Sequence, residues 1–210
     1  MTANLLFVFQ LLCIILFGGG QIFQMFKTTE GVSVSWILCS EVFFLINFFL
    51  VLRGHRQKQN RGTYQALICY GTLLIAGVFE FLLVLWNPCD SSWNIVDLWT
   101  FCIVFLGSIT VFVYARINDH PLSNPVIKAL IATLMIAVPQ LTMGYNIYRE
   151  GGAGVSVLSI VVGHICVSTR LGQLSLVYTQ ARCKYVLTTI ASETANWGSW
   201  IVVTIIWINR

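Results

Sequence analysis

Apolar and polar positions along this chain are sorted on the length scale of a bilayer. Apolar stretches cover residues 4–26, 32–53, 63–86, 93–115, 125–148, 155–179 and 185–208, and most charged residues fall in the short turns between them. With 1.5 Å of rise per residue, about 22 to 25 residues reach about 33 Å or more, enough to cross a hydrocarbon core about 30 Å thick with some tilt. The pattern predicts seven transmembrane helices and almost nothing else.

Composition points the same way. Hydrophobic residues make up 57% of the chain and charged residues 10%, whereas soluble domains carry about 25% charged residues. The lipid bilayer is the expected solvent and partner. Met1 to Asn4 bring no positive charge, so the first stretch reads as a retained span rather than a signal peptide. Cys13, Cys39, Cys69, Cys102 and Cys166 fall inside spans, Cys89 in a loop and Cys183 near an interface, with no Cys-x-x-Cys pair. That distribution suits small apolar packing residues and excludes a disulfide framework or a zinc site. The net charge of +4 comes largely from Arg53, Arg56, Lys58 and Arg61 around His55. With Arg116, Lys128, Arg182 and Lys184 on the same side, only Lys27, Arg149 and Arg210 remain opposite, which predicts a cytoplasmic N-terminus and an external C-terminus. The cluster is a topology signal, not a nucleic-acid surface.

Two helix breakers recur with similar sequels. Gly18-Gly19-Gly20-Gln21 precedes Gly31-Val32-Ser33, and Val138-Pro139-Gln140 precedes Gly154-Val155-Ser156. Laying residues 31–41 over 154–164 needs no gap and places Glu41 opposite His164. Spans one to three and five to seven are then copies. A unit with an odd number of spans reverses when fused to its copy, so the fourth span, 93–115, restores a parallel arrangement. Parallel repeats are one of the recognised transporter plans, with the substrate held between the halves near the midplane.

With Pro139-Gln140 and the twin Gly-Val-Ser turns, the chain resembles the heptahelical PQ-loop proteins, the superfamily that includes the SWEET sugar carriers. The resemblance implies an all-α membrane protein of seven transmembrane helices in a 3+1+3 arrangement of two parallel triple-helix bundles. Residues 1–88 would form the first bundle, 89–122 the linker helix and 123–210 the second bundle. It also implies secondary transport of a small solute, an amino acid foremost, in a plasma or bacterial inner membrane, or in a lysosome or vacuole of a eukaryote. The family's usual orientation, with an external N-terminus, is the reverse of what the loop charges predict here. A facilitative sugar or nicotinamide-riboside carrier, and a non-transporting receptor or chaperone of the same fold, are the alternatives.

The residues themselves suggest roles. Pro139 lacks a backbone donor and clashes with the preceding turn, so it is expected to kink span five and free a carbonyl near Met135. Gly18, Gly19, Gly20 and Gln21 are expected to give span one a matching hinge, with Gln140 beside the second. Ionisable groups deep in a bilayer are costly and mark pathways or proton relays, so Glu41, His164 and Glu80 are candidates for proton coupling. Arg170 needs a carboxylate, and Glu80 or Glu193 can supply it; its guanidinium suits a substrate carboxylate equally well. Glu193, Asn196, Trp197 and Trp200 follow helical spacing, and a carboxylate beside indole rings can hold an ammonium by charge and cation-π contact. Tyr70 stands opposite Glu193 across the repeat. Substrate and protons are thus the expected small partners, and a monomer or small homo-oligomer the expected assembly. No nucleophile-base pair, phosphate loop or dinucleotide fingerprint is present, so no enzyme, cofactor or metal is expected.

Overall fold

The structure is a computed structural model that describes residues 2–87, 93–122, 124–182 and 184–210. The turn at Cys89, Asp90, Ser91 and Ser92, with the expected boundary there, lies outside the described residues, as do Ser123 and Cys183. The described residues are helical apart from turns: α1 (Thr2–Met25), α2 (Val34–Gln57), α3 (Arg61–Trp86), α4 (Ile95–Ile117), α5 (Pro125–Ala132), a π-helical turn (Thr133–Ala137), α6 (Val138–Glu150), α7 (Val157–Ala181) and α8 (Lys184–Ile208). α5, the π turn and α6 form one broken rod.

Six helical segments are long and apolar enough to cross a membrane: Asn4–Met25, Val34–Gln57, Arg61–Trp86, Ile95–Ile117, Pro125–Glu150 and Val157–Thr179. α8 is as long as these but is not among them. Ser192, Glu193, Thr194, Asn196 and Ser199 lower its hydropathy, and several of these face the interior instead of lipid. The large apolar side chains left exposed, such as Leu5, Phe49, Ile75 and Leu106, give the outer surface the character a bilayer requires.

Local sequence sets the helix starts. Ser33 accepts a hydrogen bond from the Trp36 N–H at the head of α2, and Ser156 accepts from the Ser159 N–H at the head of α7. The repeated Gly-Val-Ser is therefore a turn followed by an N-cap, which satisfies a backbone donor that the helix leaves unpaired. Gly31 (φ 78°) and Gly151 (φ 107°) occupy backbone regions that side chains rarely adopt. There the α1–α2 and α6–α7 turns press together, and the Gly154 N–H donates to Glu30 O at 2.9 Å.

Of the two helix breaks expected from the sequence, the one in α1 is absent and the one at Pro139 is present as a widened turn. α1 runs unbroken through Gly18 to Gly20, and at Gly18 the missing side chain permits close approach, since a Cβ there would come within 2.7 Å of the Ala76 Cβ. At Pro139 the chain widens into the π turn, with the Val138 N–H donating to Thr133 O, so the break spreads over the turn before the proline.

In packing, α3 lies against both α1 and α2, and α8 lies against both the rod and α7. Two further contacts complete the set: α1 with α7, and α2 with the rod. α4 packs on the rod and on α2. The main apolar core, built on Met25, Val32, Ile37, Met143, Ile147 and Val203, sits at the end that holds the two Gly-Val-Ser turns. The opposite end is hollow.

Candidate functional site

The hollow is a cavity of about 600 Å³. Its lining begins at Leu6 in α1, Gly62 and Gln65 in the first turn of α3, and Gln173 late in α7, so it opens at the end that carries the α2–α3 and α7–α8 turns. Its walls come from α1, α2, α3, the rod, α7 and α8, and they are mostly apolar and aromatic.

Below the mouth, the Arg170 Nε stands 3.7 Å from Glu193 Oε1, with the two side chains 45% and 26% exposed. Of the two carboxylates the sequence offered Arg170, Glu193 is the one that meets it. The contact is long and uses Nε, and Arg170 makes no other ion pair or hydrogen bond among the described residues. Its planar fork of donors is thus open to the cavity, the geometry that accepts a carboxylate in bidentate fashion. Tyr70 lines the same region within electrostatic reach of both partners. Asn196 lines it one turn further along α8.

Deeper, Glu41 of α2 and Glu80 of α3 line the cavity within electrostatic reach of each other. Gly77 makes room for Glu41: a Cβ there would fall 1.8 Å from Glu41 Oε1. Glu80 is 5% exposed, and neither carboxyl has a hydrogen bond or ion pair among the described residues. Arg170, the basic side chain among the lining residues, is paired with Glu193 instead. Buried carboxyls without a partner are costly, so this niche calls for a cation or a proton.

The floor is aromatic. Trp200 meets Phe17 edge to face with ring centroids 5.9 Å apart, and Trp36 at 6.3 Å. An indole only donates, and turning the Gln140 amide so that its oxygen accepts from Trp200 Nε1 at 2.9 Å leaves its nitrogen donating to Asn196 O and Ser199 Oγ. Gln140, read from sequence as part of a hinge, thus ties the broken rod to α8 beneath the cavity.

His164 and Trp197 stand apart from this group. The Trp197 Nε1–H donates to His164 Nδ1 at 3.1 Å, which leaves the ring proton on Nε2, 2.8 Å from Thr204 Oγ1. Both imidazole nitrogens are used between α7 and α8, and neither residue is part of the cavity lining. Sequence equivalence with Glu41 did not carry His164 into the same surroundings.

Beyond the floor, the sealed end is closed by two seams. Across α1 and α7, Gln21 Nε2 donates to Gly154 O at 2.9 Å, its Oε1 accepts from the Ser156 N–H at 3.1 Å, and Ser159 Oγ donates to Phe17 O at 2.6 Å. Across α2 and α6, the joining group is Asp97 of α4, which was not singled out from the sequence. A polar residue in the first turn of a span reads as an interfacial charge, yet Asp97 is fully buried. The detectable signal was Asn94 three residues earlier, an N-cap followed by an acid.

Comparison of the chain with family models, curated proteins and solved structures finds no match.

Proposed function

We propose that this protein is a secondary membrane carrier for an amino acid, basic ones included, coupled to protons and working by alternating access between two parallel three-helix bundles joined by α4. The observation that carries the reading is the Arg170–Glu193 pair: it is loosely joined, open to a cavity sized for a small solute, and lies above a carboxyl niche that has no cationic partner among the described residues. Such a pair matches the two charges of an amino-acid head group, the guanidinium taking the carboxylate and Glu193 the ammonium. Asn196 and Tyr70 would orient that group, and the Glu41–Glu80 niche would take the coupled proton or a second ammonium. The neighbour relations support the 3+1+3 plan, with α3 between α1 and α2, α8 between the rod and α7, and the α1–α7 contact mirrored by that of α2 with the rod. One open end and one sealed end suit a carrier in one of its two states.

Uptake of labelled amino acids into liposomes containing the purified protein tests this reading. The wild type is expected to show saturable uptake that responds to a proton gradient. Arg170→Lys keeps the charge but loses the fork, and its apparent affinity is expected to fall about tenfold or more. Glu80→Gln is expected to abolish the response to the proton gradient, whereas His164→Gln should retain it. Absence of saturable uptake for every amino acid, with sugars or ribosides transported instead, would overturn the assignment.

A further inference from the structure

Asp97 is a buried carboxylate with no part in the cavity. Its Oδ1 accepts from Ser33 Oγ at 2.5 Å and from the Ser35 N–H at 3.1 Å, and its Oδ2 accepts from Asn146 Nδ2 at 3.0 Å. Ser33 caps α2, so the anion also rests against the positive end of that helix's dipole. Asn146 belongs to α6 on the other side of the seam, and its Oδ1 accepts from Asn94 Nδ2 at 2.8 Å. Asn94 in turn caps α4 by accepting from the Val96 and Asp97 N–H groups. One anion on the linker helix therefore joins α2 to α6 at the sealed end.

We infer that Asp97 is a latch that holds the sealed end shut, and that α4 is the bar that carries it rather than a passive spacer. For the cavity to open at this end, α2 and α6 must separate. Asp97 must then give up either the head of α2 or Asn146. Every donor it has among the described residues comes from the seam, so these bonds hold only while the seam is closed. A helix N-terminus and a cross-seam amide make a site whose occupant is supplied by the linker itself.

The latch has its purpose only within the carrier reading, but its test uses no substrate, so failure of the latch and failure of the amino-acid site are told apart. Amide exchange over residues 33–37 reports the α2 head directly, because the Ser35 N–H is bonded to Asp97. Asp97→Asn turns a donor toward the Asn146 donor, and Asn146→Asp sets two carboxyls face to face. Each single variant is expected to speed exchange over 33–37 about tenfold or more, while residues 156–160 at the head of α7 exchange as before. The double variant Asp97→Asn/Asn146→Asp restores the pairing with its polarity reversed: the amide oxygen at 97 still serves Ser33 and Ser35, and its nitrogen donates to the carboxylate at 146. Exchange in it is expected to return to within about threefold of wild type. Asn146→Ala, which removes the cross-seam donor along with the acceptor of Asn94 Nδ2 and introduces no new charge, covers the case in which a single variant fails to fold. Unchanged exchange in Asn146→Ala, or a double variant as fast as the singles, would overturn the latch.

Discussion

The two seams of the sealed end do the same work with different chemistry. At the α1–α7 seam a neutral amide, Gln21, reaches across and caps the α7 turn directly. At the α2–α6 seam the reaching residue, Asn146, stops short, and an anion from α4 fills the gap to Ser33 and Ser35. Both seams end at the serine of a Gly-Val-Ser turn. The two Gly-Val-Ser turns thus supply two like receptors, the N-caps of α2 and α7, and Asp97 of α4 makes the two closures unequal. A charged group that loses its partners in a low-dielectric interior costs more than a neutral amide does, so the α2–α6 seam is the harder one to part.

The largest expected effect follows from that difference. Asp97→Ala strips Ser33, the Ser35 N–H and Asn146 of their shared acceptor and should lower stability by about 3 kcal/mol or more. Gln21→Ala, which removes two neutral bonds, should cost about 1 to 2 kcal/mol. Reversible unfolding of the two variants in mild detergent, set against wild type, gives both values. Equal losses would end the claim that the seams differ in kind.

Next comes Gly154→Ala, at the point where both turns meet. A Cβ there would approach Glu30 O to 2.6 Å and Glu30 N to 2.8 Å, and these are backbone atoms that no rotamer change can move aside. Pushing the α1–α2 turn away strains both seams together, with an expected loss of about 2 kcal/mol. Exchange at the heads of α2 and α7 should rise in parallel in this variant, in contrast to the one-sided response expected when Asp97 is altered.

How much of this was legible in the sequence depends on which physical question was asked. Six of the seven expected spans and the Gly-Val-Ser turns were readable because hydrophobic runs and N-caps are local properties, and Ser33 and Ser156 do cap α2 and α7. Pro139 marked where the rod is irregular but not how, since a missing donor can be absorbed by a bend or by a wide turn such as Thr133–Ala137. Helical spacing placed Glu193, Asn196, Trp197 and Trp200 on one side of α8. Adjacent residues still point about 100° apart, and that angle sends Asn196 to the cavity and Trp197 to His164. Asp97 was missed for a different reason: its role depends on α2 and α6, which no window around residue 97 contains.

The smallest effect separates packing from flexibility within the α1–α7 seam itself. Three consecutive glycines in α1 suggest a hinge, yet their surroundings differ. A Cβ on Gly18 would collide with Ala76 of α3, and one on Gly20 would sit 3.2 Å from Leu158, Ser156 and Ser159 at the head of α7, whereas nothing lies within 4 Å of one on Gly19. If the run exists to let helices approach, Gly18→Ala should cost about 1 kcal/mol or more, and Gly19→Ala should be neutral or stabilising by up to about 1 kcal/mol through helix propensity. A hinge predicts the opposite emphasis, because stiffening any of the three would hinder opening to a similar degree. Transport rate and unfolding midpoint measured on the two variants decide between these. A Gly19→Ala protein that is more stable yet takes up solute at the wild-type rate would assign the run to close packing and not to bending of α1.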